Sequence, residues 1–175
     1  MSTPLQTLAT SGVPLLLTGQ HALLAHGCPR GAADNECECA ICGENETLLG
    51  DHFARNQWNL VYRTPFFSKF RLLSTGTPVI KVLFLDATTF SQLRAASTEH
   101  TFDTITMRVP SLIHVIAMKL QGIKHDPQRE TEVLAEVLTL LRANLARWNA
   151  EELEAACKRF GPAGIHARVM QQLAS

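Results

Sequence analysis

The alternation of apolar and polar positions divides the chain into short strands and helices as far as residue 109, and into helices alone beyond it. Residues 4–10 predict a short helix that Gly12 stops. The apolar run 13–18, bounded by glycines, predicts a buried strand. An Ala/Leu-rich helix over 20–26 follows, with Gly27 and Pro29 as stop signals. Over 35–41 acids and cysteines alternate, as in a strand, and this places Asp34, Glu36 and Glu38 on one face and Cys37 and Cys39 on the other. Leu48, Leu49 and Phe53 have helical spacing within 46–56, with acids early and Arg55 late, as the helix dipole favours. Residues 58–63 predict a strand that Pro65 ends. The segments 69–74 and 78–85 flank Thr75-Gly76-Thr77 and predict a hairpin. Its second arm is apolar except for Lys81, as a central strand would be. A helix over 88–96 with Thr88 as its cap and one strand over 101–109 complete the first part.

Pro110 suits the first turn of a helix and opens the tail. One buried stripe runs through Leu112, Val115, Ile116, Lys119 and Leu120, and a second through Val133, Leu134, Val137, Leu138 and Leu141. A third helix covers about 151–160, and Gly161-Pro162 separates it from a last one ending near Leu173. Arg129 and Glu130 read as an ion pair at a helix start. The pattern predicts an α/β (α+β) fold in two parts: a mixed sheet flanked by helices over 1–109, and a helical subdomain over 110–175 that caps it.

Composition narrows the function. With 175 residues and 46% apolar content, the chain can bury a core. Sixteen basic side chains balance sixteen acidic ones, so no global field selects nucleic acid or a membrane surface. Nucleic acid stays open through a local patch. No apolar run reaches the roughly 18 residues of a membrane span, and the N-terminus lacks the basic start of a signal peptide, so a cytoplasmic protein is expected. Four of the five cysteines (Cys28, Cys37, Cys39 and Cys42) cluster beside His26. Their spacing is not the paired CxxC of a zinc knuckle, and buried thiols are the simpler reading. His26 reads as a surface or helix-end histidine, and His114 as a packed helix residue. Trp58, Phe66, Phe67 and Phe70 read as core and cleft wall.

Acids on one face of a strand between apolar runs need water, cations or a metal opposite them. The order here is a strand, a helix opened by Gly19-Gln20-His21-Ala22, a strand with Asp34-Asn35-Glu36, and later a central apolar strand. In this it resembles the minimal nucleotidyltransferase superfamily with the DNA polymerase β-like fold. Bacterial nucleotidyltransferase-like proteins akin to abortive-infection toxins resemble it more closely still. The resemblance implies a nucleotidyltransferase-like mixed sheet, a nucleoside triphosphate as ligand, and Mg2+ held by Asp34 and Glu36 as the catalytic pair. It also implies phosphate contacts from Gly19, Gln20, Arg30 and Lys119. A protein partner of the toxin–antitoxin kind is implied by the same analogy. In such sites magnesium neutralises charge on triphosphate oxygens, and backbone N–H groups at the helix start hold the phosphates.

The chain departs from that pattern. Gln20 stands where a small residue is usual, Ala32 lacks a hydroxyl, and Glu36 replaces an aspartate. Lys81 occupies the position of the third acid, and Asp86 falls on the opposite strand face by parity. A lysine beside the acids would serve as an internal counter-ion where metal should sit. The leading expectation is therefore a nucleotidyltransferase-fold protein with an altered, impaired metal and nucleotide site. The alternatives are a working Mg2+-dependent enzyme that transfers a nucleotidyl group to a nucleic-acid, protein or small-molecule acceptor, and an α/β binding module without nucleotide chemistry.

Overall fold

The computed structural model describes residues 3–29 and 36–174. These form two compact units, Met1–Ala22 with Arg30–Pro110, and Leu23–Pro29 with Ser111–Ser175.

The first unit is built on a five-stranded mixed sheet in the order β1-β2-β5-β4-β3. Its strands are β1 Leu15–Thr18, β2 Glu36–Cys42, β3 Trp58–Arg63, β4 Phe67–Leu72 and β5 Val79–Leu85. β2 and β5 run parallel, and every other pairing is antiparallel. The predicted hairpin is the β4–β5 pair. Register puts Leu17, Cys39, Val82 and Ser68 in one row across the sheet, all buried, with Cys37, Ile80 and Phe70 in the row one step along, on the same face. Helix α3, Glu46–Arg55, lays Phe53 edge-on against Phe70 at 4.6 Å, with Trp58 at 6.4 Å. Its first turn is acidic and its last carries Arg55, which matches the macrodipole.

The short helix α1, Pro4–Ala9, begins in a capping box between Thr3 and Gln6. It is tied to this layer where Trp58 Nε1 donates to Thr7 Oγ1 at 3.3 Å. On the opposite sheet face, Leu16, Cys42 and Leu85 meet Phe90 and Leu93 of helix α4, Ala87–Ala95. The cap of α4 is Asp86, not Thr88: the Asp86 carboxylate accepts from Thr89 N at 2.9 Å and from Thr89 Oγ1 at 2.6 Å, which holds its acid below the usual range.

The single strand predicted over 101–109 is a hairpin of β6 Thr98–Phe102 and β7 Ile105–Val109. Asp103, with φ of +55°, makes the turn. Aspartate tolerates this left-handed geometry through its short polar side chain, and two-residue hairpin turns require it. A strictly alternating pattern hides such a reversal, because both arms keep the same period.

The second unit is helical. It contains α5 Leu112–His125, α6 Glu130–Ala143, α7 Ala150–Phe160 and α8 Ile165–Ala174. The predicted stripes are its buried face, including Ile116, Leu120, Val137 and Leu141. His26 belongs to this unit and stands just past the end of the helix Gly19–Ala25, as one of the two predicted placements has it, though buried and not at the surface; its carbonyl accepts from Asn144 Nδ2 at 2.7 Å. Glu130 pairs with Arg168, and Arg129 grips Glu132 with two hydrogen bonds of 3.0 and 2.9 Å, which replaces the predicted Arg129–Glu130 pair. Residues 129 and 132 are neighbours on a helix surface, whereas 129 and 130 point apart. Among the described residues, no helix is long and apolar enough to cross a membrane.

Candidate functional site

The face of the central sheet that α4 covers at one end carries polar side chains at the other. Because side chains alternate, Glu36 and Glu38 project there while Cys37 and Cys39 face the core. Glu38 stands opposite Thr18 of β1 and Lys81 of β5, and Lys81 stands opposite Lys69 of β4, so one row runs Thr18, Glu38, Lys81, Lys69. Lys81 Nζ lies 3.2 Å from Glu38 Oε1, with side chains 24% and 23% exposed. Lys69 Nζ lies 2.8 Å from Glu36 Oε1. Each carboxylate thus has its own ammonium. Lys81 also sits 5.6 Å from the centre of the Phe67 ring, where a cation gains from the ring's quadrupole.

Gly19 opens helix α2, Gly19–Ala25, with φ of +56°. A Cβ at this position would lie 2.9 Å from Glu38 Cδ and 3.0 Å from its Cβ and Cγ. The glycine is thus required twice, by backbone conformation and by the approach of Glu38. Gln20 follows in the first turn, half-buried.

Asp34 and Arg30, both expected in the site, lie outside the described residues. The described acids two apart on one strand face are Glu36 and Glu38, and it is Glu38 that meets Gly19 and Lys81. The motif Asp34-Asn35-Glu36 does not include Glu38, although the alternation of Glu38 with Cys37 and Cys39 is visible in the sequence. The sequence places Lys69 only in a hairpin arm; its partner Glu36 stands two strands away on β2 and one row along, and it takes both the β2–β5 and β4–β5 pairings to bring the two together. Asp86, already a doubtful third acid by parity, is committed to capping α4. Lys119, expected to contact phosphate, forms a 2.7 Å ion pair with Glu136 inside the helical unit, the two side chains 18% and 15% exposed.

The cysteines are free and buried. Burial pushes the Cys39 thiol well up, with Cys37 and Glu38 adding to the effect. It also raises Cys28 and pushes Cys157 up to about 11. Such thiols resist forming the thiolate that zinc binds. Among the described residues, no group of three or more His, Cys, Asp or Glu is placed to hold a metal ion.

Beyond Glu36 the face opens into a groove of about 700 Å³, whose lining includes Val61, Tyr62, Phe67, Lys69 and Arg71. The Tyr62 and Phe67 rings lie 5.5 Å apart.

No protein-family model matches the chain, and no curated protein matches it in sequence. Solved structures do match in shape. The antibiotic-resistance factor ANT(2'')-Ia superposes in its solution structure with a TM-score of 0.65 at 11% identity, over 96% of this chain and 88% of that one. Its crystal structure in complex with adenylyl-2''-tobramycin gives the same score and identity, over 97% and 94%. An antigenic nucleotidyltransferase-like protein from Paracoccidioides brasiliensis gives 0.59 at 12% identity, over 97% and 83%. The chain therefore has a nucleotidyltransferase-like fold.

Proposed function

We propose that this chain is a nucleotidyltransferase-fold protein whose catalytic face is neutralised from within. The observation that carries the reading is the Lys81–Glu38 ion pair, in register across the two parallel central strands and beside the Gly19 turn. Magnesium demands oxygen ligands in near-octahedral array. Among the described residues the donor set is two glutamates, each already facing an ammonium, with a lysine where the resemblance calls for a third carboxylate. That set suits a fixed positive charge better than a divalent ion. The reading assigns Lys81 and Lys69 the electrostatic role that metal has in the enzymes this chain resembles. Nucleotide binding can outlast catalysis on such a face, since fold and chemistry separate readily.

The retained Glu36–Glu38 pair favours a second reading, a working Mg2+-dependent transferase. ANT(2'')-Ia, whose complex holds an adenylylated antibiotic, makes small-molecule acceptors the first to try, as does the lincosamide antibiotic adenylyltransferase LnuA in its lincomycin-bound structure, similar in fold at a TM-score of 0.50 and 8% identity over 73% of this chain and 85% of that one. A protein partner of the toxin–antitoxin kind rests on the resemblance alone.

The discriminating experiment incubates the protein with each α-labelled nucleoside triphosphate, Mg2+ or Mn2+, and tobramycin, lincomycin, RNA or cell extract. The first reading predicts no labelled product above the Glu38→Gln variant. Labelled product that Glu38→Gln abolishes would establish the second.

A further inference from the structure

β3 is the terminal strand of the sheet, and all its residues after Trp58 are exposed. An edge strand leaves a row of backbone N–H and C=O groups open to pairing, and proteins blunt such edges with proline, charge or bulges. This one has no proline, its single irregularity is the register shift between Leu60 and Tyr62, and its only charge, Arg63, is held by Glu46 of α3 at 2.9 Å. Leu60, Val61 and Tyr62 are 45%, 46% and 54% exposed. The register shift between Leu60 and Tyr62 sets Val61 and Tyr62 together on the wall of the groove described above. Arg71 of β4, opposite Asn59, lines the same groove, and among the described residues it has no carboxylate partner. Among the described residues that line the groove, Glu36 neutralises Lys69, and Arg71 leaves one positive charge in excess.

We propose that β3 is a docking edge for an extended segment of a partner protein, which adds as a sixth strand with acidic and apolar side chains in alternation. Backbone pairing to β3 supplies affinity, and the adjoining groove supplies specificity. With strands spaced about 5 Å apart, a residue of the added strand beside Asn59 lies roughly 10 Å from the Arg71 backbone. An arginine and an aspartate extended toward each other close that distance. Alternate side chains, on the other face, lie beside Leu60. The proposal stands apart from the fate of the Glu36–Glu38 pair and needs no nucleotide.

The test uses the full chain and two short synthetic peptides, one alternating valine with aspartate and the other valine with lysine. Hydrogen exchange at Trp58–Arg63 is expected to slow with the aspartate peptide and not with the lysine peptide. Arg71→Glu, an exposed change, is expected to weaken the aspartate peptide by roughly tenfold or more and to admit the lysine peptide. Arg71→Gln is expected to give an intermediate affinity. No protection from either peptide, equal protection from both, or indifference to Arg71 would overturn the proposal. So would a concentration-dependent dimer that protects Trp58–Arg63 without peptide, since the edge would then belong to a second copy.

Discussion

Gly19 and Glu38 share one small volume, and that contact is sensitive to a single methyl group. Gly19→Ala places Cβ within 3.0 Å of three Glu38 side-chain carbons and forces a left-handed alanine, which alone costs roughly 1–2 kcal/mol. The expected outcome is a loss of about that size or more in denaturant unfolding, and less if Glu38 is first shortened to alanine. Equal losses in both backgrounds would show that Glu38 does not press on the turn. His114 gives a pH signature. Half-buried, with Ser111 Oγ 2.8 Å from its Nδ1, it has a pKa that desolvation holds below the usual 6.5, with Glu152 opposing. The unfolded chain takes up that proton near pH 6.5, and the folded chain only at lower pH, so protons favour unfolding. Its contribution is present above pH 6.5 and is lost as pH falls through the lowered folded value. The stability slope over that window should flatten in His114→Gln; an unchanged slope would place its origin elsewhere.

At the level of elements, α3 is held by Phe53, fully buried against Phe70 and Trp58. Phe53→Ala should cost about 3–5 kcal/mol in urea unfolding, because the rigid sheet beneath cannot collapse into the cavity. Asn149 caps α7 by accepting from Glu152 N at 2.7 Å, and Asn149→Ala should cost about 1 kcal/mol. These elements were legible in the chain because each has a single period and a clear stop: Leu48, Leu49 and Phe53 define α3, and Gly76 defines the β4–β5 turn. The β6–β7 reversal was not legible, since Asp103 breaks no alternation. The cap on α4 was displaced to Asp86 because an acid ending a strand looks, in one dimension, like part of it. Pairings between distant strands were hidden for a different reason. Glu38 and Lys81 are far apart in sequence, and only the β2–β5 register brings them together.

For the whole molecule, the proposed function turns on the two lysines paired with the two glutamates. The oddity of Lys81 in an apolar strand is visible in the sequence, and so is the need for an acid to face it. Which acid is not: among the described residues Glu38, rather than Glu36, takes that place, because the parallel register aligns residue 38 with residue 81. The direct test is Mn2+ binding, followed by paramagnetic resonance, to the wild-type chain, Lys81→Asp and Lys81→Asp/Glu38→Gln. Internal neutralisation predicts no site-bound ion in the wild type, an ion gained in Lys81→Asp, and its loss in the double variant. Mn2+ bound by the wild type as tightly as by Lys81→Asp, and released by Glu38→Gln alone, would contradict it.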